Sequence, residues 1–276
     1  MVEEINSGNC NHDCSSCSAS CGERVIEKKQ PHPGSVIRKV IAVTSGKGGV
    51  GKSLTTALLA ISAAKEGKKV AILDADVTGP SIPTIFGLNE LATGDETKIN
   101  PVVSSLGIKI MSLNLLLEDK TDPVIWRGPV VSGLIGQFWS DVDYGEIDEL
   151  YIDMPPGTSD VPLTVFQTIP VDAAVIVTSP QELVSLIVEK AVKMTSMMNI
   201  PVLGVVENMS YILCPHCGEK TYPFGEPSAE VASRYGIPVY ETLPIDPKLA
   251  SCCDSGTLEE YEGELLGRLS AAIHQI

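Results

Sequence analysis

The segment GKGGVGKS at residues 46–53 matches the phosphate-binding pattern G-x-x-x-x-G-K-[ST] in full. It follows an apolar run at residues 40–44 and precedes a stretch of helical length at residues 52–66, which is the context that the pattern requires. Glycines let the backbone wrap closely around a phosphate, and the N-terminus of the following helix adds positive charge to the same place. The segment therefore predicts a strand, a phosphate-binding loop and a helix in succession.

The side chains of this loop have separate expected tasks. Lys52 is expected to reach the β- and γ-phosphates of a nucleotide, and the Ser53 hydroxyl is expected to ligate Mg²⁺. The residues predicted to bind the nucleotide in this loop are Gly46, Gly48, Gly49, Val50, Gly51, Lys52, Ser53 and Leu54.

Outward from the loop, apolar runs alternate with stretches of helical length. The predicted strands lie at residues 40–44, 69–73, 150–152, 173–178, 202–206 and 238–243, and the predicted helices include residues 52–66, 181–197 and 258–273. The runs are continuous and rich in Val and Ile, which is typical of parallel strands covered on both faces. The order predicts an α/β fold with a doubly wound, mostly parallel sheet, whose ligand lies at the carboxyl ends of the strands.

Composition narrows the class of protein and its partners. The chain has 276 residues, of which 43% are hydrophobic and only 5% aromatic, so its core must be built mainly from Val, Ile, Leu and Ala. A formal charge of −15 argues against a nucleic-acid surface, which needs clustered Lys and Arg. No secretory signal is visible, and no apolar run approaches the roughly 18 residues that cross a bilayer. We therefore expect a cytoplasmic protein with neither nucleic acid nor membrane as a partner.

Two regions differ in composition. Residues 1–35 hold four of the eight cysteines and end in a linker that contains Pro31 and Pro33, and we expect them to form a metal-binding or cluster-binding tail. Residues 36–276 carry the α/β pattern and are expected to form one P-loop domain.

Acidic residues follow two of the predicted strands. Asp74 and Asp76 come after the run at 69–73, and Asp153 follows the run at 150–152. A carboxylate at a strand end beside a phosphate loop can hold Mg²⁺ or position the attacking water. We assign Asp153 to Mg²⁺ and Asp76 to the water, with Asp74 supporting the metal. Each could instead be a helix cap or a turn residue.

The pair Cys214 and Cys217 is a C-x₂-C motif in a predicted loop. Thiolates are soft ligands suited to Zn²⁺ or iron–sulfur clusters, but two of them make half of a four-ligand site. A two-fold homodimer would bring the same pair from each copy to one axis and supply all four. The alternative interpretation as a thioredoxin-like redox pair is weaker, because no thioredoxin-like pattern surrounds the motif. Zn²⁺ in place of a cluster stays open because the ligand set is the same.

The tail carries a second set of thiols that can close a site by themselves. Its cysteines are Cys10, Cys14, Cys17 and Cys21, spaced C-x₃-C-x₂-C-x₃-C. We predict a second [4Fe–4S] cluster there, with Zn²⁺ as the alternative metal.

Five motifs together carry a resemblance to a known family. They are Asp74-Ala75-Asp76-Val77-Thr78-Gly79-Pro80-Ser81, Trp126-Arg127-Gly128-Pro129, Asp153-Met154-Pro155-Pro156-Gly157-Thr158, Val206-Glu207-Asn208-Met209-Ser210 and Cys214-Pro215-His216-Cys217-Gly218. In this order they resemble the Mrp-type iron–sulfur carrier ATPases of the MinD/Mrp class, which have a deviant Walker A loop. The resemblance covers residue 39 to the C-terminus.

The resemblance implies an ATP-hydrolysing carrier that binds a [4Fe–4S] cluster between two subunits and passes it to apo-proteins. It implies that Lys47 crosses the dimer interface to the partner's nucleotide phosphates, although Lys47 could also be a solvated lysine. It implies that Asn208 contacts adenine, although Asn208 could instead satisfy its own backbone in a turn. Two departures from the family pattern are Leu54, where a second hydroxyl residue is common, and Ser159, where Gly is usual. Leu54 could alter a contact to the α-phosphate.

Three other functions fit part of the pattern. A MinD- or ParA-like spatial switch would need a basic helix or surface, whereas residues 258–276 hold four glutamates and one arginine. An ATPase that transfers electrons, similar to the nitrogenase iron protein, would also bridge a cluster across a dimer. A zinc-bridged dimeric ATPase is the third alternative, and the set Lys47, Lys52, Asp76 and Asp153 argues against a vestigial active site.

Overall fold

The computed structural model of the chain describes residues 28–77, 79–117, 128–158, 160–180 and 184–276. The tail cysteines Cys10, Cys14, Cys17 and Cys21 lie outside the described residues, as do Trp126, Arg127 and Ser159.

Eleven strands occur in the described residues. They are β1 (Val36–Ser45), β2 (Val70–Asp74), β3 (Thr93–Gly94), β4 (Ile99–Asn100), β5 (Val102–Val103), β6 (Lys109–Met111), β7 (Glu146–Asp153), β8 (Ala173–Thr178), β9 (Val202–Leu213), β10 (Lys220–Thr221) and β11 (Val239–Pro244).

Nine of these strands form one sheet in the order β10-β9-β8-β1-β7-β2-β6-β5, with β11 beside β9. The pairs from β11 through β9, β8, β1, β7 and β2 to β6 are all parallel. Among the described strands of this sheet, antiparallel pairs occur only where β10 joins β9 and β5 joins β6, while β3 and β4 form a separate antiparallel pair. The predicted doubly wound, mostly parallel sheet is therefore confirmed, and all six predicted strands are present with bounds that differ by a few residues.

The largest difference in a strand concerns β9. The apolar run at 202–206 predicts only its first half, whereas the strand continues to Leu213. Its second half loses the β8 neighbour after Glu207, keeps β11 as a neighbour through Tyr211 and gains β10. Because this half projects beyond the common edge of the sheet, its side chains are mixed in polarity and give no apolar run.

The helices cover both faces of the sheet. They are α1 (Lys52–Lys65), α2 (Ile82–Ile85), α3 (Gly128–Ser140), α4 (Asp160–Thr168), α5 (Val184–Met197), α6 (Glu230–Arg234), α7 (Pro247–Ser255) and α8 (Gly267–His274). The predicted helix at 52–66 is confirmed as α1, with Glu66 as its C-cap. In the helix predicted at 181–197, the described part is α5.

The predicted continuous helix at residues 258–273 is wrong. A short 3₁₀ turn covers Leu258–Glu260, non-helical chain follows, and α8 begins only at Gly267. Leu266 has a φ of 63°, and this left-handed conformation interrupts a right-handed helix. The apolar spacing that suggested one helix is divided between two segments that pack separately.

Two apolar layers lie against the two faces of the sheet. One contains α1 and α8 and includes Leu59, Ile72 and Leu269. The other lies under α3 and α4 and includes Phe138, Trp139 and Phe166. Aliphatic side chains make up most of both layers, as the composition predicts, and each layer also contains a few buried aromatic side chains.

The linker that follows the cysteine-rich tail contacts the domain where its described part begins. Lys29 N donates to Thr168 O at 2.9 Å, and Trp139 Nε1 donates to Lys29 O at 2.9 Å. These contacts hold the start of the described chain at the C-terminal ends of α3 and α4. The division into a tail of residues 1–35 and a domain of residues 36–276 stays a prediction.

Within the described part of the chain, no helix combines the length and the apolar character needed to cross a membrane.

Candidate functional site

The phosphate-binding loop connects β1 to α1 at the carboxyl edge of the sheet. Gly49 has a φ of 76° and Gly51 a φ of 88°, both in the left-handed region that favours glycine. The Ser45 hydroxyl donates to Lys47 O at 3.0 Å inside the loop, and Thr55 N donates to Gly51 O at 2.9 Å as α1 begins. The loop thus has the shape that its glycines predict, with the N-terminus of α1 facing the space above it.

Lys52 lies between two carboxylates from different strands. Its Nζ is 2.7 Å from Asp153 Oδ1 and 3.4 Å from Asp76 Oδ2, and its side chain is only 5% exposed. Burial by itself lowers the pKa of Lys52, but Asp153 and Asp76 outweigh it, so the pKa lies above its usual value. The lysine is therefore a charged group held at the loop by the two acids that sequence analysis assigned to the same site.

Asp153 is fully buried at the end of β7, where three side chains reach it. Besides Lys52, the Ser53 hydroxyl donates to Oδ2 at 2.5 Å, and Thr56 Oγ1 lies 3.1 Å from Oδ1. Burial raises the pKa of Asp153, while Lys52 and the Ser53 hydrogen bond oppose that rise. A hydroxyl and a carboxylate oxygen at this separation fit the oxygen ligands that Mg²⁺ prefers.

Asp74 is almost fully buried, like Asp153. The Ser112 hydroxyl donates to its Oδ2 at 2.9 Å, and Asp76 N donates to its Oδ1 at 3.1 Å. Burial, followed by the neighbouring charge of Asp153, raises the pKa of Asp74 to about 8. Both of its oxygens thus have protein donors, and its predicted support of the metal stays a prediction.

Sequence analysis missed two hydroxyl residues in this network. Thr56 lies four residues after Lys52 and therefore on the same face of α1, a spacing that could have indicated it. Ser112 directly follows β6, the strand beside β2. Residues that follow parallel strands lie together at the carboxyl edge of the sheet, so its position could have indicated it.

Lys47 lies in the loop itself, whereas Asn208 contacts the loop from β9. Lys47 is partly exposed, and its role across a subunit interface stays a prediction. Asn208 is 4% exposed in β9, and its Nδ2 donates to Val50 O at 3.0 Å. A Cβ on Gly51 would lie only 2.1 Å from that nitrogen, so the amide fills the space that the glycine leaves. The predicted contact of Asn208 with adenine stays a prediction.

Cys214 and Cys217 occupy the turn of a hairpin formed by β9 and β10. Cys214 N donates to Glu219 O at 2.9 Å, and Gly218 N donates to Cys214 O at 2.8 Å. Gly218 has a φ of 74°, which closes the turn. The Cys217 and His216 backbone N–H groups point at the Cys214 sulfur, and these hydrogen bonds lower the pKa of Cys214.

This turn is at the surface and has apolar neighbours. Cys217 is exposed and Cys214 is partly exposed, so both sulfurs can reach a ligand outside the chain. Exposed apolar side chains on the same hairpin and beside it are Ile212, Leu213, Phe224 and Ile245. The two thiols and their apolar surroundings form a half-site on a surface suited to a further contact.

Cys252 and Cys253 lie in α7, a different element from that turn. Both are partly buried and pack against the apolar layer of α1 and α8. Burial raises the pKa of Cys253, which makes it a weaker ligand than Cys214.

Comparisons with known proteins match most of the chain. A family model described as ParA, NUBPL iron-transfer P-loop NTPase, matches residues 36–275. The iron-sulfur cluster carrier protein of Clostridium perfringens is 49% identical over 262 residues, which cover 91% of this chain and 92% of that protein. The protein of the same name from Methanocaldococcus jannaschii is 47% identical over 225 residues, with 80% and 78% covered.

Two solved structures show the same architecture. A nucleotide-binding protein from Archaeoglobus fulgidus in complex with ADP superposes with a TM-score of 0.75 at 48% identity, covering 83% of this chain and 90% of that one. The cell division ATPase MinD of Pyrococcus furiosus gives a TM-score of 0.63 at 19% identity, covering 86% and 98%. The second likeness concerns the fold alone, and it confirms the predicted P-loop architecture.

Proposed function

Because the chain belongs to the ParA/NUBPL family of iron-transfer P-loop NTPases, we propose that it is an ATP-hydrolysing carrier of iron–sulfur clusters. In this proposal, two copies hold one [4Fe–4S] cluster between them and deliver it to apo iron–sulfur proteins. The observation that carries the proposal is that one strand, β9, contacts the phosphate loop through Asn208 and ends directly before the partly exposed Cys214 of the thiol pair.

The nucleotide half of the proposal rests on the charges around the loop. Lys52 would transfer its contact from Asp153 to the β- and γ-phosphates, which present more negative charge than one carboxylate. Asp76, whose side chain is 13% exposed and 3.4 Å from Lys52 Nζ, would orient the attacking water. Lys47 of a second copy would add positive charge at the γ-phosphate, in the manner of an arginine finger.

The metal partner of the nucleotide fits the same residues. Ser53 Oγ and the carboxylate of Asp153 would hold Mg²⁺, and Asp74 would support it from behind. When bound, Mg²⁺ supplies Lewis-acid charge to the phosphate oxygens.

The cargo half of the proposal rests on the hairpin turn. Backbone N–H groups directed at the Cys214 sulfur favour its thiolate form, which is the form that ligates iron. A [4Fe–4S] cluster takes four thiolates, so two turns related by a two-fold axis complete the set. The exposed apolar residues around the turn are suited to contact between the two copies. In the tail, Cys10, Cys14, Cys17 and Cys21 are proposed to bind a second [4Fe–4S] cluster, with Zn²⁺ as the alternative.

Location in the cytoplasm is part of the same proposal. Among the described cysteines, Cys214, Cys217, Cys252 and Cys253 are all free thiols, and thiols that must ligate iron need a reducing compartment.

The test is anaerobic reconstitution of the full chain with iron and sulfide, followed by measurement of iron, zinc, sulfide and mass in solution. Wild type is expected to hold about six iron atoms per chain. Four belong to the [4Fe–4S] cluster of the tail, and two are the chain's share of the cluster that the two hairpins of a dimer hold together. Serine at all four tail cysteines leaves about two per chain in a dimer, and Cys214→Ser/Cys217→Ser leaves about four.

Cys252→Ser/Cys253→Ser is the matched control, since it also removes two thiols and is expected to leave the iron content unchanged. Iron content unaffected by Cys214→Ser/Cys217→Ser would contradict the proposed cargo site. Zinc retained at the hairpin in place of iron, even without oxygen, would instead make the protein a zinc-bridged dimeric ATPase.

A further inference from the structure

Strand β9 changes direction between the phosphate loop and the cysteine turn. Glu207 pairs with Thr242 of β11, and the next pair joins Tyr211 to Pro244. Three residues of β9 therefore lie opposite one residue of β11, which makes a bulge of residues 208–210. Met209 within it has a φ of 61°, an uncommon conformation for a residue with a side chain.

Side chains hold this bulge in place on two sides. Ser210 is fully buried, and its hydroxyl lies 2.8 Å from Glu207 O and 2.7 Å from Glu207 Oε1. Tyr240 of β11 donates its hydroxyl to Glu207 Oε2 at 2.8 Å. The hydrogen bonds of Ser210 therefore stabilise the bulge internally, and Glu207 connects the bulge to the neighbouring strand.

The bulge presents Asn208 to the phosphate loop. Asn208 Oδ1 accepts from Met209 N at 2.9 Å, which orients the amide, and its Nδ2 donates to Val50 O. Since the amide nitrogen occupies the space where Gly51 would carry a Cβ, a shift of the loop must displace Asn208 or break this bond.

The same bulge begins the segment that ends at the cysteine turn. Cys214 is the sixth residue after Asn208, a span of about 20 Å for an extended strand. Beyond the bulge this segment pairs with β11 through Tyr211 and with the short β10, and it no longer pairs with β8. It can therefore change its angle to the sheet without disturbing the central strands.

We propose that Glu207, Ser210 and Tyr240 are positioning residues: they hold the bulge through which the phosphate loop sets the geometry of the Cys214–Cys217 turn. A nucleotide that moves Val50 and Gly51 moves Asn208, and the closed bulge passes that movement to the hairpin. None of the three residues touches the phosphates or the thiols. This inference deepens the proposed function, because it rests on the turn being the cargo site, and it assigns the link between cargo and nucleotide to one strand.

The test measures alkylation of the thiols by iodoacetamide in the metal-free full chain, with Cys214 and Cys217 resolved by peptide mass spectrometry. Rates are compared with and without Mg·ADP, at a concentration where light scattering gives the same mass in both states. In wild type the rate is expected to differ between the two states by about fivefold or more, which is the usual size of coupling between two sites.

Ser210→Ala and Tyr240→Phe each remove one hydroxyl whose hydrogen bond holds the bulge in place. In both variants the ratio of the two rates is expected to fall below about twofold, while the Kd for Mg·ADP stays within about twofold of wild type. Ser270→Ala is the matched control, since Ser270 is also buried and its hydroxyl also has a side-chain partner, Ser62 Oγ at 3.4 Å, but it lies in α8. This control should keep the wild-type ratio, because a loss of stability alone changes both rates together.

Wild-type ratios in both bulge variants would overturn the inference, as would equal rates with and without Mg·ADP in wild type. If Ser210→Ala does not fold, Tyr240→Phe decides alone, because its hydroxyl is partly buried and its ring stays in place. The outcome is separable from the proposed function, since alkylation uses no iron, and the iron content of the hairpin is measured independently.

Discussion

The phosphate loop and the cysteine turn are built in opposite ways. Residues around the loop come from distant parts of the chain, and Lys52, Asp76 and Asp153 meet there with little exposure to solvent. The cysteine turn is formed by a short continuous segment, 214–218, which closes through its own backbone hydrogen bonds at the surface.

This difference predicts different consequences of mutation. A buried network of charges depends on every partner, because the loss of one leaves another charge uncompensated. An exposed turn depends on its backbone and can lose its sulfur atoms with little effect on folding. The two halves of the site can therefore be altered separately, and the following changes test that separation.

Lys52→Ala is expected to have the largest effect. ATP hydrolysis should fall by about 10³-fold, because the lysine supplies charge to the phosphates in the transition state. Phosphate release measures this loss, and iron bound at the hairpin should stay the same. Lys65→Ala is the control: it lies in the last turn of the same helix and contacts only Tyr261 O through its ammonium. Equal rates for the two variants would contradict the role of Lys52.

Gly51→Ala should destabilise the nucleotide half by about 3 kcal/mol, since it combines a φ of 88° with overpacking against Asn208. Gly49→Ala has a similar φ of 76° but no atom within 4 Å of the added Cβ, so it should cost only about 1 kcal/mol. Urea unfolding without nucleotide measures both. An equal loss of unfolding free energy in the two variants would show that Asn208 moves to make room for the new methyl group.

Asp74→Asn should change how stability depends on pH. A carboxyl group with a pKa of about 8 when folded keeps its proton, whereas in the unfolded chain it loses the proton near its usual pKa of 3.8. Its contribution to stability is therefore complete below that lower value and is lost as pH rises towards 8. Between pH 5 and 8 the wild type should lose up to about 4 kcal/mol through this group.

The asparagine can accept from Asp76 N at its Oδ1 and donate from its Nδ2 to the Ser112 hydroxyl, and it should flatten this slope, leaving the dependence that comes from Asp153. Urea unfolding of the nucleotide-free protein at several pH values gives the comparison. Identical slopes for wild type and Asp74→Asn would mean that Asp74 is ionised in the folded protein.

Cys214→Ser/Cys217→Ser should have the smallest effect on stability, within about 0.5 kcal/mol in the metal-free protein, because these side chains lie at the surface. Cys252→Ser/Cys253→Ser should cost more, about 1 kcal/mol, since those thiols pack against the core. Thermal unfolding without metal measures both. A larger loss for the exposed pair would mean that the turn contributes to the folded core.

Local patterns made the nucleotide half predictable. The loop pattern fixes the order of strand, loop and helix, and acids at strand ends converge wherever parallel strands share an edge. Asp76 and Asp153 therefore meet Lys52 as expected. Thr56 and Ser112 were missed because a single hydroxyl carries no pattern of its own.

Long-range packing explains what was mispredicted or missed. Residues 258–273 have helical spacing, but two segments of this stretch pack separately and Leu266 interrupts them. The bulge in β9 depends on hydrogen bonds among Glu207, Ser210 and Tyr240, which no local spacing indicates. The second half of the strand was missed for the same reason, since its partners are β10 and β11.

The most direct test of the account is transfer of a reconstituted cluster from this protein to an apo-ferredoxin, followed by the visible absorption of the acceptor. The rate is compared for wild type and Lys52→Ala, each with Mg·ATP and without nucleotide. The account predicts that Mg·ATP changes the transfer rate of wild type by about fivefold or more and leaves that of Lys52→Ala unchanged. Equal rates in all four conditions would contradict a carrier whose cargo is controlled by its nucleotide.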